Sequence, residues 1–238
     1  MDWTERRERL RSLIAGPRCI YPASVYDAIS ARIAEDLGFE AGMFAGSIAS
    51  FAVLGAPDVV VLTLTEFAQQ AYRINRAGKL PLLVDADHGY GNALSVKRTV
   101  EELETAGVAG MTIEDTALPT GYGASGPPLI PIAEGVGKMK AALAGRQDKR
   151  LVIVGRTSAA MAITGVEDTI GRLPMSRLAS TCCSWPQSRR GRSSTQWQAQ
   201  SSCRCFSAAQ ARSFTISIIS ARAMFVFACK VTCRSWPR

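Results

Sequence analysis

Short apolar runs alternate with amphipathic stretches from the start of the chain to residue 171. Ala41–Phe44, Leu82–Val84, Gly110–Ile113 and Leu151–Val154 are nearly continuous in apolar and small residues, as in strands buried on both faces. Cys19–Tyr21 reads as a short first strand. The stretches between follow the helical period. Met1–Gly16 is a charged helix with Leu10, Leu13 and Ile14 on one side, and Asp27 caps a helix carrying Ile29, Ile33 and Leu37 that Gly38 closes. Ala45–Pro57 reads as a long loop of small residues. Thr63 and Glu66 form a capping box before Phe67, Ala71 and Ile74. Val96, Val100 and Leu103 define a further helix with Gly107 at its end, and Ile132, Val136, Met139 and Leu143 another. A second capping box, Thr164 and Glu167, opens a helix with Val166, Ile170 and Leu173, which Pro174 stops. Five strands alternating with helices predict a parallel α/β fold. Charged residues at the strand ends favour a (β/α)8 TIM-barrel type, truncated after about five βα units.

The unit Leu82–Glu114 concentrates the candidate chemistry. Its first strand ends in Asp85-Ala86-Asp87, where period-two geometry points both carboxylates the same way if the chain stays extended. His88–Asn92 then turns the chain, and the second strand delivers Glu114 and Asp115 to the same edge. Hard oxygen ligands from adjacent parallel strands suit Mg²⁺. Each residue also has a plainer role. Asp85 and Asp87 would cap the following helix, Glu114 would be a strand-end carboxylate, and Arg156 would pair with Glu114 or Asp85. His88 on its turn fits a structural hydrogen bond better than direct ligation, and Cys19 fits a buried apolar position.

Charge divides the 238 residues in two. All 20 acidic residues lie at or before Asp168, so residues 1–171 carry net −3 and residues 172–238 carry +11, which gives the overall +8. Six of the seven Cys and three of the four Trp fall in that last segment, with one of the 20 Gly. Residues 1–171 therefore read as a partial barrel domain, and 172–238 as an aberrant, low-complexity basic tail. Neither helical period nor strand alternation survives there, and no ordinary globular composition combines these biases. A basic appendage is one explanation. A reading frame that slips near Gly171–Pro174 is the other, and it explains why a helix breaks off as Gly, Asp and Glu vanish together. Cys182-Cys183 and Cys203-x-Cys205 lack zinc-ligand spacing and a histidine. Arg189-Arg190-Gly191-Arg192 would adhere to phosphates without forming a specific nucleic-acid site. Met1–Arg18 has no apolar signal region, no long apolar span suggests a membrane segment, and a single thiol before the tail suits a reducing, cytoplasmic location.

Gly46-Ser47-Ile48, DADHGYGN (Asp85–Asn92), RTVEELETAGVAGMTIED (Arg98–Asp115) and VGRT (Val154–Thr157) resemble the isocitrate lyase / phosphoenolpyruvate mutase superfamily, most closely its oxaloacetate decarboxylase branch. The likeness runs from about Cys19 to Leu173. It implies a (β/α)8 barrel, usually homotetrameric, that uses Mg²⁺ or Mn²⁺ on small 2-oxo dicarboxylic acids. It further implies Asp85 as principal metal carboxylate, with Asp58, Asp87 and Glu114 acting largely through the metal's waters. Ser47 and the backbone at Gly46 and Ile48 would hold a substrate carboxylate, and Arg156 would contact the substrate near its 2-oxo group. The C–C lyases of this superfamily carry a cysteine in a KKCGH loop, and the mutases and phosphonate hydrolases a Lys and an Asn. Thr116–Gly123 has none of these, which favours decarboxylation over the lyase, mutase or hydrolase alternatives. The branch's later His and its Tyr or Asn have no counterpart after His88 and Tyr122, so the chain as written is expected to be impaired; an inactive, basic-tailed binding protein is the alternative from another class.

Overall fold

In a computed structural model the described residues are 1–16, 20–124, 128–157 and 172, with the backbone of three later strands. Helix α1 (Thr4–Ala15) leads into β1 (Ala23–Ser24), α2 (Ala28–Asp36), β2 (Gly42–Phe44) and α3 (Gly46–Ala49). A π-helical turn (Ser50–Leu54) extends α3, followed by α4 (Leu64–Ala77), β3 (Leu82–Asp85), α5 (Ala93–Thr105), β4 (Gly110–Glu114), α6 (Ile132–Gly145) and β5 (Val152–Arg156). Strands β6 (Cys182–Trp185), β7 (Arg204–Ala208) and β8 (Phe227–Cys229) complete one sheet in the order β1 to β8. Pairing is parallel from β1 to β7 and antiparallel between β7 and β8. No pairing joins β8 to β1 among the described residues, so the barrel-type sheet is open.

Alternation along the strands sorts the core into two clusters. Phe44, Leu82, Val84, Met111, Ile113 and Ile153 face the helices and pack on Phe67, Val96, Val100, Leu103 and Met139. Met43, Leu83, Val152 and Val154 face the inside of the sheet, where Leu10 and Ile14 of α1 close its lower end. Arg7 fixes that helix in place: its guanidinium meets the Asp148 carboxylate at 2.9 Å and donates to the Glu104 carbonyl at 2.7 Å. The inner face matters most for function, because period two carries Leu83 on to Asp85, Gly110 on to Thr112 and Glu114, and Val154 on to Arg156.

The structure corrects several expectations. The first strand lies at Ala23–Ser24 rather than Cys19–Tyr21, of which residue 19 is outside the described residues. Ala45–Pro57 holds α3 and the π-helical turn instead of an extended loop. In α2 the capping box on Asp27 forms, but Ile29, Ile33 and Leu37 are 68%, 54% and 71% exposed. Ala31 and Ala34 are buried in their place, on a helix that packs against α4. Short segments of the basic tail pair as β6 to β8. The free edge of β5 offers unpaired N–H and C=O groups, and backbone pairing there needs no particular side-chain pattern. The helix expected after Thr164 lies outside the described residues.

Phe67 stacks on Phe44 with ring centroids 4.8 Å apart. Phe67→Ala should therefore cost about 3–5 kcal/mol in urea unfolding, the usual range for a truncated buried ring. Ile33→Ser should stay within roughly 0.5 kcal/mol of the parent, as for other exposed positions.

Candidate metal and substrate site

The inner-face residues at the upper ends of β3, β4 and β5 form one polar cluster. Register sets Asp85 beside Thr112, and Glu114 beside Arg156. The Arg156 guanidinium spans the group: Nη1 donates to Asp85 Oδ2 at 2.8 Å, and Nε lies 3.3 Å from Glu114 Oε2. Two further donors hold the carboxylates in position. Thr112 Oγ1 donates to Asp85 Oδ1 at 2.8 Å, and Thr116 Oγ1 to Glu114 Oε1 at 2.5 Å. Asp85 and Glu114 are both buried, so these are charge-assisted bonds in a medium of low polarity.

Asp87 reaches the same place by another route. The strand does not stay extended past Asp85: Asp87 adopts φ +47°, and Tyr90 and Gly89 follow at +60° and +77°. This left-handed run folds the Asp85–Asn92 segment over the strand tips. The Asp87 amide donates to Asp85 Oδ1 at 3.2 Å, while its carbonyl accepts from the Glu114 amide at 2.8 Å. Its carboxylate lies against Gly46, where a Cβ would stand 2.8 Å from both oxygens. A larger residue at 46 would displace the Asp87 carboxylate from this position. Asn92 caps α5, accepting from the Leu94 and Ser95 amides, so Asp85 and Asp87 are not needed as caps.

Electrostatics register the crowding. Burial, and then Asp85, Glu114 and Asp58, push the Asp87 carboxyl up to about 9. Asp58, an exposed residue, is also raised, by partial desolvation of its carboxyl and then by the charges of Asp85 and Glu114. Burial opposes the charge on Arg156, but Asp85 and Glu114 outweigh it and hold the guanidinium firmly protonated. One cation against four acidic groups leaves excess negative charge. Among the described residues no three His, Cys, Asp or Glu side chains are grouped to bind a metal directly. The chemistry of the set fits a hard divalent cation that keeps several of its waters.

Ser47, on α3 next to Gly46, is the other half of the site. Its buried Oγ has no hydrogen-bond partner, a cost of about 1–3 kcal/mol unless a ligand supplies one. Ile48 follows on the same short helix. The structure thus brings Asp85, Asp87, Glu114 and Arg156 together, with Gly46 against Asp87, Ser47 next to it in sequence, and Asp58 near enough to feel their charge. His88 is buried, with its pKa lowered to about 4 by burial and then by Lys138, so it is neutral near pH 7.

Sequence reasoning missed the supports. Lys138, only 2% exposed, donates from Nζ to the His88 carbonyl at 2.8 Å and so ties α6 to the turn. Thr99 Oγ1 donates to the Gly89 carbonyl at 3.0 Å, and Thr157 Oγ1 to Asp115 Oδ2 at 2.6 Å. Lys138 sits beside Met139 on the buried face of its helix, which a search restricted to apolar residues overlooks.

The phosphoenolpyruvate phosphomutase family pattern matches residues 10–194, most of the chain. The chain belongs to that family. An oxaloacetate decarboxylase from Bradyrhizobium diazoefficiens is 66% identical over 172 residues, 72% of this chain and 59% of the relative. This chain therefore spans less than two thirds of such a relative's length. Among solved structures, an oxaloacetate acetylhydrolase bound to the inhibitor 3,3-difluorooxalacetate superposes with TM-score 0.78 at 28% identity, covering 86% of this chain and 71% of that one. A 2,3-dimethylmalate lyase of the phosphoenolpyruvate mutase/isocitrate lyase superfamily gives 0.75 at 27%, covering 89% and 75%. These likenesses establish the expected superfamily and barrel class.

Gly89 holds the family's turn in shape. A Cβ there would lie 2.5 Å from Val96 Cγ2, on a backbone at φ +77°. Gly89→Ala should cost more than about 1 kcal/mol in urea unfolding, the level at which an incompatible backbone outweighs the entropic gain.

Proposed function

We propose that this chain derives from a Mg²⁺- or Mn²⁺-dependent oxaloacetate decarboxylase that releases pyruvate. The observation that carries the reading is the carboxylate cluster locked by Arg156 beside an unsatisfied Ser47 hydroxyl. The 66% identity to a decarboxylase supports the choice of reaction. Asp85 would hold the cation, with Asp58, Asp87 and Glu114 accepting hydrogen bonds from its waters. When bound, the cation supplies the Lewis acidity that steadies negative charge on a 2-oxo acid.

The chain's own groups do the rest. Ser47 Oγ, with the amides of Gly46 and Ile48, binds and orients one substrate carboxylate. Arg156 gives a fixed positive charge near the 2-oxo oxygen, where charge grows as the C–C bond to CO₂ breaks. Burial around Asp85 and Glu114 excludes water and strengthens those contacts. No thiol is required, in keeping with the cysteine-free segment Thr116–Gly123. A cytoplasmic enzyme assembled as a homotetramer fits this reading. Among the described residues no helix is long and apolar enough to cross a membrane.

With its sheet open after β8, the chain as written should turn over little or no substrate. Joining residues 1–171 to the remaining barrel of the Bradyrhizobium relative provides the test. Pyruvate should appear from oxaloacetate with Mg²⁺, stop with EDTA, and return on adding Mg²⁺ or Mn²⁺. Asp85→Ala in that chimera should lower kcat/KM by at least about 100-fold, the scale of one lost electrostatic contact. Oxalate in place of pyruvate, or turnover indifferent to EDTA, would refute the decarboxylase reading.

A further inference from the structure

Strands β6 and β7 occupy positions where a barrel needs apolar residues, yet they read Cys-Cys-Ser-Trp and Arg-Cys-Phe-Ser-Ala. The genetic code accounts for both. Codons for Phe, Leu, Ile, Met and Val all have T as their second base. Displaced by one nucleotide, that T becomes the first base, and TGY, TCN, TGG and TTY encode Cys, Ser, Trp and Phe. The tail's excess of Cys, Ser and Trp is what shifted strand codons produce.

The shift can be undone without knowing any third base. Cysteine is always TGY, tryptophan TGG, threonine ACN, alanine GCN and proline CCN. Reading Ala179–Pro186 one nucleotide earlier, with TCN serines, gives seven positions in order. They are one of Phe, Leu, Ile or Val; one of Tyr, His, Asn or Asp; one of Leu, Met or Val; Leu; Leu or Phe; one of Leu, Met or Val; and Ala. Six of the seven are apolar whatever the codon usage. The same shift turns Ser202–Ala208, with CGN arginine, into Leu, Met or Val; Pro or Ser; Leu, Met or Val; and two of Leu or Phe. A small residue or Arg then follows. The opposite shift gives no such run, leaving Pro, Arg or His open at Thr181 and Ser184.

These two runs coincide with the segments that pair as β6 and β7, in register with Gly155 and Arg156 of β5. The boundary is also visible. Arg172 is buried and donates to the Ile130 carbonyl at 2.7 Å, with Asp115 Oδ2 at 3.3 Å, so the chain still packs as part of the domain there. We infer that the chain leaves its frame by one nucleotide between Arg172 and Met175, and that the frame one nucleotide back encodes the apolar sixth and seventh strands of the barrel. The inference rests on codon chemistry and sheet register, independently of the proposed reaction, so the two fail separately.

The coding DNA tests it directly. The expected result is TCN at Ser180, Ser184 and Ser207, CGN at Arg204, and TGC at Cys229, because TGT before Lys230 would place TAA in the earlier frame. That frame should stay open from codon 175 through codon 233. An AGY codon at Ser180 or Ser184, or a stop within that interval, would overturn the inference. Restoring one base in an expressed gene supplies the second measurement. The restored chain should unfold in a single sharp urea transition, and the chain as written in a broader one at lower urea. A restored chain that unfolds no more cooperatively than the original would contradict the proposal. So would recovery of the peptide Ser193–Arg204 as an abundant product in the source cells.

Discussion

Everything in the candidate site depends on one guanidinium held between two buried carboxylates. Arg156 ends β5, Glu114 ends β4 and Asp85 ends β3; parallel register sets Glu114 beside Arg156 and Asp85 beside Thr112, two residues earlier on the same inner face. Each has an inward-facing apolar residue two positions earlier or a small one in its row, so the cluster continues the inner core into polar chemistry. Removing a partner from such a pair leaves an uncompensated charge in a poorly solvated place, which costs far more than the pair itself contributes. The site is therefore also a structural joint between strands. The carboxyls beyond the pair, Asp87 and Asp58, are both pushed up by desolvation and by their acidic neighbours, a load that the proposed cation would relieve.

Local signals made much of this legible. The capping boxes at Asp27 and Thr63 form, and Gly107 closes α5 at φ +86° as its spacing suggests. Strand positions followed from continuous apolar runs because parallel strands are covered on both faces. Glu114 was signalled by its place at a strand end and Arg156 by the family motif Val154–Thr157, and both lie on the inner face that strand alternation defines in β4 and β5. Asp87 was found for an incorrect reason: its carboxylate joins Asp85 through a left-handed turn, not through strand geometry.

Other features follow from tertiary contacts that no local pattern carries. Period alone cannot say which face of α2 is buried, and it is Ala31 and Ala34, not the larger apolar residues, that turn inward. Lys138 is a long cation whose burial depends on the His88 carbonyl, a partner fifty residues away in sequence. Gly46 is explained only by the Asp87 carboxylate lying against it. The tail differs again, since β6 to β8 pair through backbone groups in residues whose side-chain pattern gives no strand signal.

The sheet runs in the order β1 to β8 with an antiparallel final pair, and among the described residues nothing joins β8 to β1. The first five strands carry both the family's inner face and its acidic cluster, so the cluster's cohesion can be probed in this chain directly. The decisive measurement is urea unfolding of Arg156→Gln against the parent, both carrying Trp185, Trp197 and Trp236 as Phe, so that the fluorescence followed is that of Trp3 alone. The account predicts a loss of about 3–5 kcal/mol, as for a buried pair stripped of one partner. An unchanged midpoint would mean that the carboxylates do not depend on Arg156, and would contradict the account at its base.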